Sequence, residues 1–411
     1  MTAGERAYAK KIPSEQGELW RTKRPLLAWL DIELTERCNN DCIHCCVNRP
    51  SGDRRAKARE LATDEIHKVL QEAADLGCLA VRFTGGEPLL RDDFEEIYVA
   101  ARRLGLRVMV FTNASLLTPR LIGLLRKIPP LERMEISVYG LTRESCRAVT
   151  RNPGCYDAAR RAIGLLVEHK IPFILKGTLL PPTMAEKAQF ETWAATVTGK
   201  DLKAAFVMTL DLTSRRDPAK NDLIRGLRMS ARQFIEFSTA GNGGRLEDWK
   251  RFVVKFAGLP GKRLFTCFPG RSRGSVDAYG MFQYCLSLRH PETIHELKKG
   301  SLKKAILEFL PRLAEMTATD PRYLERCSRC FLKAFCQQCP AKSWTEYGTL
   351  DTPVDYFCEI THAQATSIGI LGEGEKAWDV DDWPARVKWL AESLDPETSP
   401  RGEFPRECAG E

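Results

Sequence analysis

No stretch of this sequence is apolar for long enough to cross a bilayer: runs such as Leu175 to Pro181 fall far short of the ~20 residues that a spanning helix needs. The N-terminal MTAGERAYAKKIPSEQ has neither the apolar core nor the small-residue cleavage site of an export signal, so cytoplasmic residence is expected. There is no internal repeat, no low-complexity segment and no basic arm. The formal net charge of +8 is spread along the chain, which gives no reason to expect a nucleic-acid or membrane partner; an acidic peptide or electron carrier suits such a surface better.

Cysteine, by contrast, is abundant. Fifteen in a chain without an export signal point to metal binding or catalysis before disulfides. Hydrophobic residues make up 43% and charged residues 28%, the composition of a globular protein with room for two or three domains.

From residue 27 to about 210, stretches of strand length alternate with helical patterns. The strands are expected at Leu27–Leu34, Cys78–Phe83, Arg107–Thr112, Glu132–Tyr139, Phe173–Leu180 and Ala204–Leu210. Between them, helices are expected from Thr63, with Ile66, Val69, Leu70 and Ala73 on one face, and around Phe94–Ala101, Pro119–Leu125, Tyr156–His169 and Met184–Thr196. Right-handed crossovers then give an α/β fold, a parallel sheet curling into a partial (β/α)6 TIM-like barrel, with function at the carboxyl ends of its strands. Expected boundaries are an N-terminal extension 1–26, the barrel 27–215, a connecting segment 216–262 marked by Gly241–Gly244 and Gly258–Gly261, a C-terminal cysteine-rich domain 263–372, and a helix and tail 373–411, with the helix near Pro384–Leu394.

Four features fall on one predicted rim. Cys38, Cys42 and Cys45 follow the first strand in C-x3-C-x2-C spacing. Gly85-Gly86-Glu87-Pro88 follows the second, Asn113 the third, and Ser137 lies near the end of the fourth. Three soft thiolates in a short loop suit an iron–sulfur cluster or zinc, and having no evident fourth ligand favours a catalytic metal with an open position over a closed structural site. Two glycines let backbone approach a ligand closely, and Glu87 can accept from an ammonium group.

The triplet and the GGEP run resemble the radical S-adenosylmethionine (SAM) superfamily over roughly residues 27–215. The resemblance implies that Cys38, Cys42 and Cys45 hold a 4Fe-4S cluster whose open iron binds SAM. It further implies that His44 touches the adenine, GGEP the methionine moiety, Ser137 the ribose and Arg151 the methionine carboxylate, with Asn113 a weaker contact. The expected product is a 5′-deoxyadenosyl radical.

Downstream, Cys267 is followed by Gly280 and Cys285, then by Cys327-x2-Cys330-x5-Cys336-x2-Cys339 and Cys358. Zinc ribbons or buried thiols are the plain alternatives. The order resembles the SPASM extension of radical SAM enzymes, except that two residues separate Cys336 from Cys339 where the family has three. That resemblance implies two auxiliary 4Fe-4S clusters, one on Cys327, Cys330, Cys336 and Cys358 and one on Cys267, Cys285 and Cys339, the latter with either a non-cysteine fourth ligand or an open iron. Cys46, Cys78, Cys146, Cys155 and Cys408 remain. Cys78 is read as a core filler, Cys408 as idle, and Cys146 and Cys155 as candidates for an acid or hydrogen donor.

Resembling enzymes with this extension mostly modify ribosomally made peptides, so a peptide maturase is the leading expectation, with a flavodoxin or ferredoxin-type electron donor. The short segment before the first strand leaves leader recognition to direct binding or a separate protein. The alternatives are the same chemistry on a small molecule or tetrapyrrole side chain, and a non-catalytic iron–sulfur electron carrier or scaffold.

Overall fold

The computed structural model describes residues 27–47, 49–199, 204–240, 244–267 and 273–394. The N-terminal extension, most of Gly241–Gly244 and the tail with Cys408 lie outside the described residues. The chain divides into two compact units, residues 1–228 with 270–311, and 229–269 with 312–411.

The first unit is built on one sheet. In chain order its strands are β1 (Trp29–Thr35), β2 (Arg37–Cys38), β3 (Arg49–Pro50), β4 (Ala80–Gly85), β5 (Arg107–Thr112), β6 (Met134–Val138), β7 (Phe173–Thr178), β8 (Ala205–Val207), β9 (Arg273–Val276), β10 (Met281–Gln283) and β11 (Ile294–Glu296). Nine of them are ordered β11-β10-β9-β1-β4-β5-β6-β7-β8, with β2 and β3 forming a separate pair. β1 and β4 to β8 are parallel, the six strands read from the sequence, and among the described residues β8 does not return to β1: the barrel is partial.

Along each strand one face is apolar. Leu30, Ile32, Val81, Phe83, Val108, Val110, Ile136 and Leu175 are buried there. They are covered by helices whose inward stripes include Ile66, Val69 and Leu70 of Thr63–Asp75, Ile97 and Tyr98 of Phe94–Arg103, Leu121 and Leu125 of Pro119–Lys127, and Ile163 and Leu166 of Cys155–Glu168. Thr63 is the first residue of its helix, as expected. The capping position is Ala62, whose backbone N–H is taken by Glu65 at 2.8 Å.

The expected boundaries shift in two places. β9 pairs in parallel with β1 from Trp29↔Arg273 to Ile32↔Val276, so residues 273–296, expected within the cysteine-rich domain, extend the main sheet. The expected connecting segment is also divided: the helix Pro218–Leu227 belongs to the first unit, and Ala231–Thr239 and Gly244–Phe256 belong to the second.

In the second unit Trp249 stacks on Phe234 at 6.3 Å and meets Phe335 edge-on at 6.4 Å, while Phe331 stacks on Trp383 at 5.7 Å. The terminal helix Trp383–Glu392, expected apart from the cysteine-rich domain, is thus part of its core. Gly258 and Gly261 donate backbone hydrogen bonds to Phe331 and Ser328 at 3.0 and 3.2 Å, so that glycine-rich segment is bonded to the cysteine loop. Among the described residues no helix is long and apolar enough to cross a membrane.

Candidate functional site

All of the rim features lie where parallel strands end. After β1 the chain bends at Glu36 into β2, and Arg37 and Cys38 pair with Arg49 and Pro50 of β3. The intervening loop is therefore clasped at both ends. It is also fixed from the side: Asp41 and Ile43 donate backbone N–H to Thr150 and Val149 (both 2.9 Å), and Lys220 Nζ donates to the Cys42 carbonyl at 2.7 Å.

The three thiols gather at this point. Cys38 and Cys42 are buried and Cys45 half-buried. Burial pushes Cys38 up to about 12, with Glu87 and Cys45 adding to it, and raises Cys42 further, with Cys45 and Cys38 among its neighbours. Such thiols stay protonated until a metal displaces the proton, so loading a metal here releases protons. Cys38 Sγ accepts from the Asn40 N–H at 3.4 Å and from Asn113 Nδ2 at 3.8 Å.

The two glycines make close backbone contacts within the chain. A Cβ on Gly85 would lie 2.0 Å from the Thr35 carbonyl oxygen, and one on Gly86 2.3 Å from that of Arg37. Gly86 and Glu87 donate N–H to those same two carbonyls at 2.7 and 2.9 Å. The close approach is thus to the backbone that leads into Cys38. Gly85 also has φ +134°, which side-chain-bearing residues avoid.

Glu87, expected to face an ammonium, is fully buried and already accepts from Thr112 Oγ1 (2.7 Å), the Asn113 N–H (2.8 Å) and the Leu89 N–H (3.0 Å). Burial pushes its carboxyl up to about 7. It joins the end of β4 to the end of β5, while Pro88 begins a short turn over Pro88–Leu90. Glu87→Gln, which replaces an acceptor oxygen with an N–H donor facing the Asn113 N–H, is expected to destabilise the protein by about 1–3 kcal/mol, measured by chemical denaturation.

Asn113 is buried and also donates to Asn39 Oδ1 at 3.0 Å. His44 presents a buried Nδ1 that has no hydrogen-bond partner, while its Nε2 lies 3.5 Å from Thr178 Oγ1. Burial lowers its pKa to about 4, so the imidazole is neutral. Arg151 caps its helix in the left-handed conformation and reaches Asp41 at 2.9 Å, tying it to the cysteine loop.

Several residues of the site escaped the sequence reading. Tyr139 lies within electrostatic reach of all three thiols, and its ring lies 5.8 Å from His44; burial and those thiols raise its phenol well above the usual value. The signal was available, since Tyr139 stands two residues beyond Ser137 and strand alternation puts both on one face. That face of the sheet is polar. Arg82 pairs with Asp31, Lys176 with Glu135 at 3.0 Å, and both cations lie over the Phe111 ring at 4.6 and 5.3 Å.

At the end of β1, Arg289 bridges Glu33 (2.5 Å) and Glu36 (2.7 Å). Glu36 also accepts from Tyr279 (2.5 Å) and from Arg215. Cys146 and Cys155, 3% and 2% exposed, form a hydrogen-bonded pair behind the loop, with Asn40 Nδ2 3.7 Å from Cys155; Cys146 holds its proton more tightly and Cys155 less.

In the second unit Cys327, Cys330, Cys336 and Cys358 line one small cavity, together with Arg326, Lys333 and His362. Cys339 is not among its lining residues; it begins the helix Pro340–Tyr347 and has Cys267 as a charged neighbour. Cys285 belongs to the first unit, just after β10. Among the described residues no three His, Cys, Asp or Glu side chains are arranged to hold a single metal ion.

Residues 32–189 match the family model described as "Radical SAM superfamily". Among curated relatives, an AdoMet-dependent heme synthase of Methanosarcina barkeri is 34% identical over 161 residues, 39% of this chain and 44% of the relative. A probable GTP 3′,8-cyclase of Halobacterium salinarum is 32% identical over 157 residues, 37% and 43%. The chain thus spans less than half the length of these relatives. Among solved structures, SuiB of Streptococcus suis bound to precursor peptide SuiA is similar with a TM-score of 0.61 at 14% identity, covering 84% of this chain and 79% of that one. The enzyme anSMEcpe with bound AdoMet and a peptide follows at 0.57 and 13%, covering 89% and 99%. At such identities the likeness is one of fold.

Proposed function

We propose that this chain, a radical SAM protein with a cysteine-rich auxiliary region, reductively cleaves S-adenosylmethionine and abstracts hydrogen from a peptide, leading to a crosslink or an oxidised residue. The observation that carries this reading is the meeting of Cys38, Cys42 and Cys45 at the carboxyl edge of a parallel sheet. The donor set fits the cofactors. Three thiols converge there, an unpartnered His44 Nδ1 lies beside them, and a separate cavity is ringed by four more thiols. In a polynuclear cluster each thiolate holds a different iron, so sulfurs that ring a cavity suit it better than sulfurs closing on one ion.

Cys38, Cys42 and Cys45 would hold the SAM-binding cluster. His44, Gly85, Gly86, Glu87, Pro88, Asn113, Ser137 and Arg151 would line the SAM site. Cys327, Cys330, Cys336 and Cys358 would hold one auxiliary cluster, and Cys267 and Cys339 would serve the other. Bound in these places, SAM and the clusters supply the electron and the 5′-deoxyadenosyl radical that removes hydrogen from substrate. The chain's own contribution is positional. Asn40 and Asn113 direct N–H groups at the Cys38 sulfur, which stabilises a thiolate there, and the bonds from Gly86 and Glu87 to the Thr35 and Arg37 carbonyls keep the loop in place. The polar face with Arg82, Glu135 and Lys176 offers charged groups to a peptide chain.

The peptide reading draws on the fold neighbours bound to peptides, and requires a flavodoxin or ferredoxin-type donor and either direct leader binding or a separate recognition protein. A second reading, a small molecule or tetrapyrrole substrate, is favoured by the haem synthase among the sequence relatives. The test is anaerobic reconstitution with iron, sulfide and a strong reductant, followed by chromatographic detection of 5′-deoxyadenosine. Absence of that product with clusters confirmed by spectroscopy would refute the enzyme and leave an electron carrier. Mass change in a short peptide encoded beside this chain, against change in an iron porphyrin, separates the two substrate readings.

A further inference from the structure

Lys333 is 5% exposed and lies on the wall of the four-cysteine cavity. Its ammonium donates to the Gln338 carbonyl, and among the described residues it has no carboxylate partner. The groups around it are Tyr323, Cys327, Cys336 and Cys339. Arg326, which also lines the cavity and reaches Cys358, is paired with Asp355 at 2.6 Å, and His362, its Nδ1 3.5 Å from Cys358 Sγ, lies between the Cys358 carbonyl (2.8 Å) and the Ala377 N–H (3.1 Å). Lys333 is thus the cation of this cavity that has no carboxylate partner among the described residues.

A buried charge without a counter-charge is costly, and proteins retain one where an anion of another kind sits beside it. Lys333 is also held firmly in place. Gln338, whose carbonyl it bonds, is 4% exposed; its amide donates to Ser343 Oγ (2.8 Å) and the Thr352 carbonyl (3.3 Å) and accepts from the Val354 N–H (3.2 Å). That network spans the loop between Cys336 and Cys339 and the turn that leads into the helix carrying Cys358.

We propose that Lys333 sets the reduction potential of the cluster held by Cys327, Cys330, Cys336 and Cys358, its positive charge stabilising the more negative, reduced form. The inference rests on the reading that these four cysteines hold an iron–sulfur cluster. Taking up one electron adds one negative charge at a largely buried site, where screening is weaker than in water, and a fixed ammonium at its wall favours that state. The site is thereby biased toward accepting an electron.

The test compares Lys333→Met and Lys333→Arg, both in protein carrying Cys38→Ala, Cys42→Ala and Cys45→Ala so that auxiliary signals are read alone. Bound iron is counted, and the auxiliary clusters are titrated potentiometrically and followed by electron paramagnetic resonance. Lys333→Met is expected to weaken the one-electron uptake of one auxiliary cluster at least tenfold, 59 mV for a one-electron couple, while Lys333→Arg stays near the parent value. A methionine variant with unchanged iron and unchanged potentials would overturn the proposal, as would loss of the cluster from both variants, which would mean that side-chain shape and not charge matters. Loss of the cluster from the methionine variant alone supports it. Parent protein without auxiliary iron would refute the cluster reading itself, a distinct result.

Discussion

Replacing Cys38, Cys42 and Cys45 together with alanine is expected to abolish 5′-deoxyadenosine formation and to lower bound iron from about twelve to about eight per chain, one 4Fe-4S cluster of three being lost. The three sulfurs lie within mutual electrostatic reach on one clasped loop, so no single substitution tests the set as cleanly. The fold should survive, because the loop is fixed mainly by backbone bonds from Asp41 and Ile43 and by the pairing of β2 with β3. Iron analysis and product chromatography on the same preparation give the result. A triple variant that retained full SAM cleavage would disprove the ligand assignment.

Arg289→Met is expected to cost about 3–5 kcal/mol of stability, the typical penalty for stranding a buried charge by removal of its partner. The Arg289 guanidinium lies between Glu33 and Glu36, which are 3% and 0% exposed, with Asp277 at 3.7 Å. Even with Arg289 in place, burial holds the Glu33 carboxyl above its usual value. A carboxyl raised in the folded state favours folding at low pH, and that contribution is lost as pH rises through the folded pKa. Without Arg289 the rise is larger, so the deficit of the variant should widen with pH and narrow on acidification. Denaturant unfolding across a pH series reads both quantities; a deficit that does not change with pH would show that the loss comes from packing alone.

Six strands and the helices between them were legible because each has a period that one window of sequence displays. Leu30, Ile32 and Leu34 alternate with Asp31 and Glu33, and Ile66, Val69, Leu70 and Ala73 recur at helical spacing. The cysteine loop was legible for the same reason of proximity, since C-x3-C-x2-C lies within eight residues. β9 to β11 were not, because a strand of three or four residues carries too little pattern, and because β9 joins β1 across more than 240 residues of sequence. The GGEP glycines were found, but one thing they do was not legible: their missing side chains make room for the Thr35 and Arg37 carbonyls of a neighbouring strand, which no local window contains.

What the sequence determined by itself is therefore chemistry that is local: thiolates at cluster spacing, a glycine pair after a strand, a parallel α/β alternation. Only the tertiary structure decided which groups surround them. It brought Tyr139 against Cys42, joined Glu87 to Thr112 and Asn113, set Arg289 between two carboxylates 256 and 253 residues away, and put Lys333, with no carboxylate partner among the described residues, on a wall of sulfurs. Ligand spacing follows from covalent reach along the chain, whereas the electrostatic surroundings of a site are summed over every element that packs against it, and that sum exists only once the chain has folded.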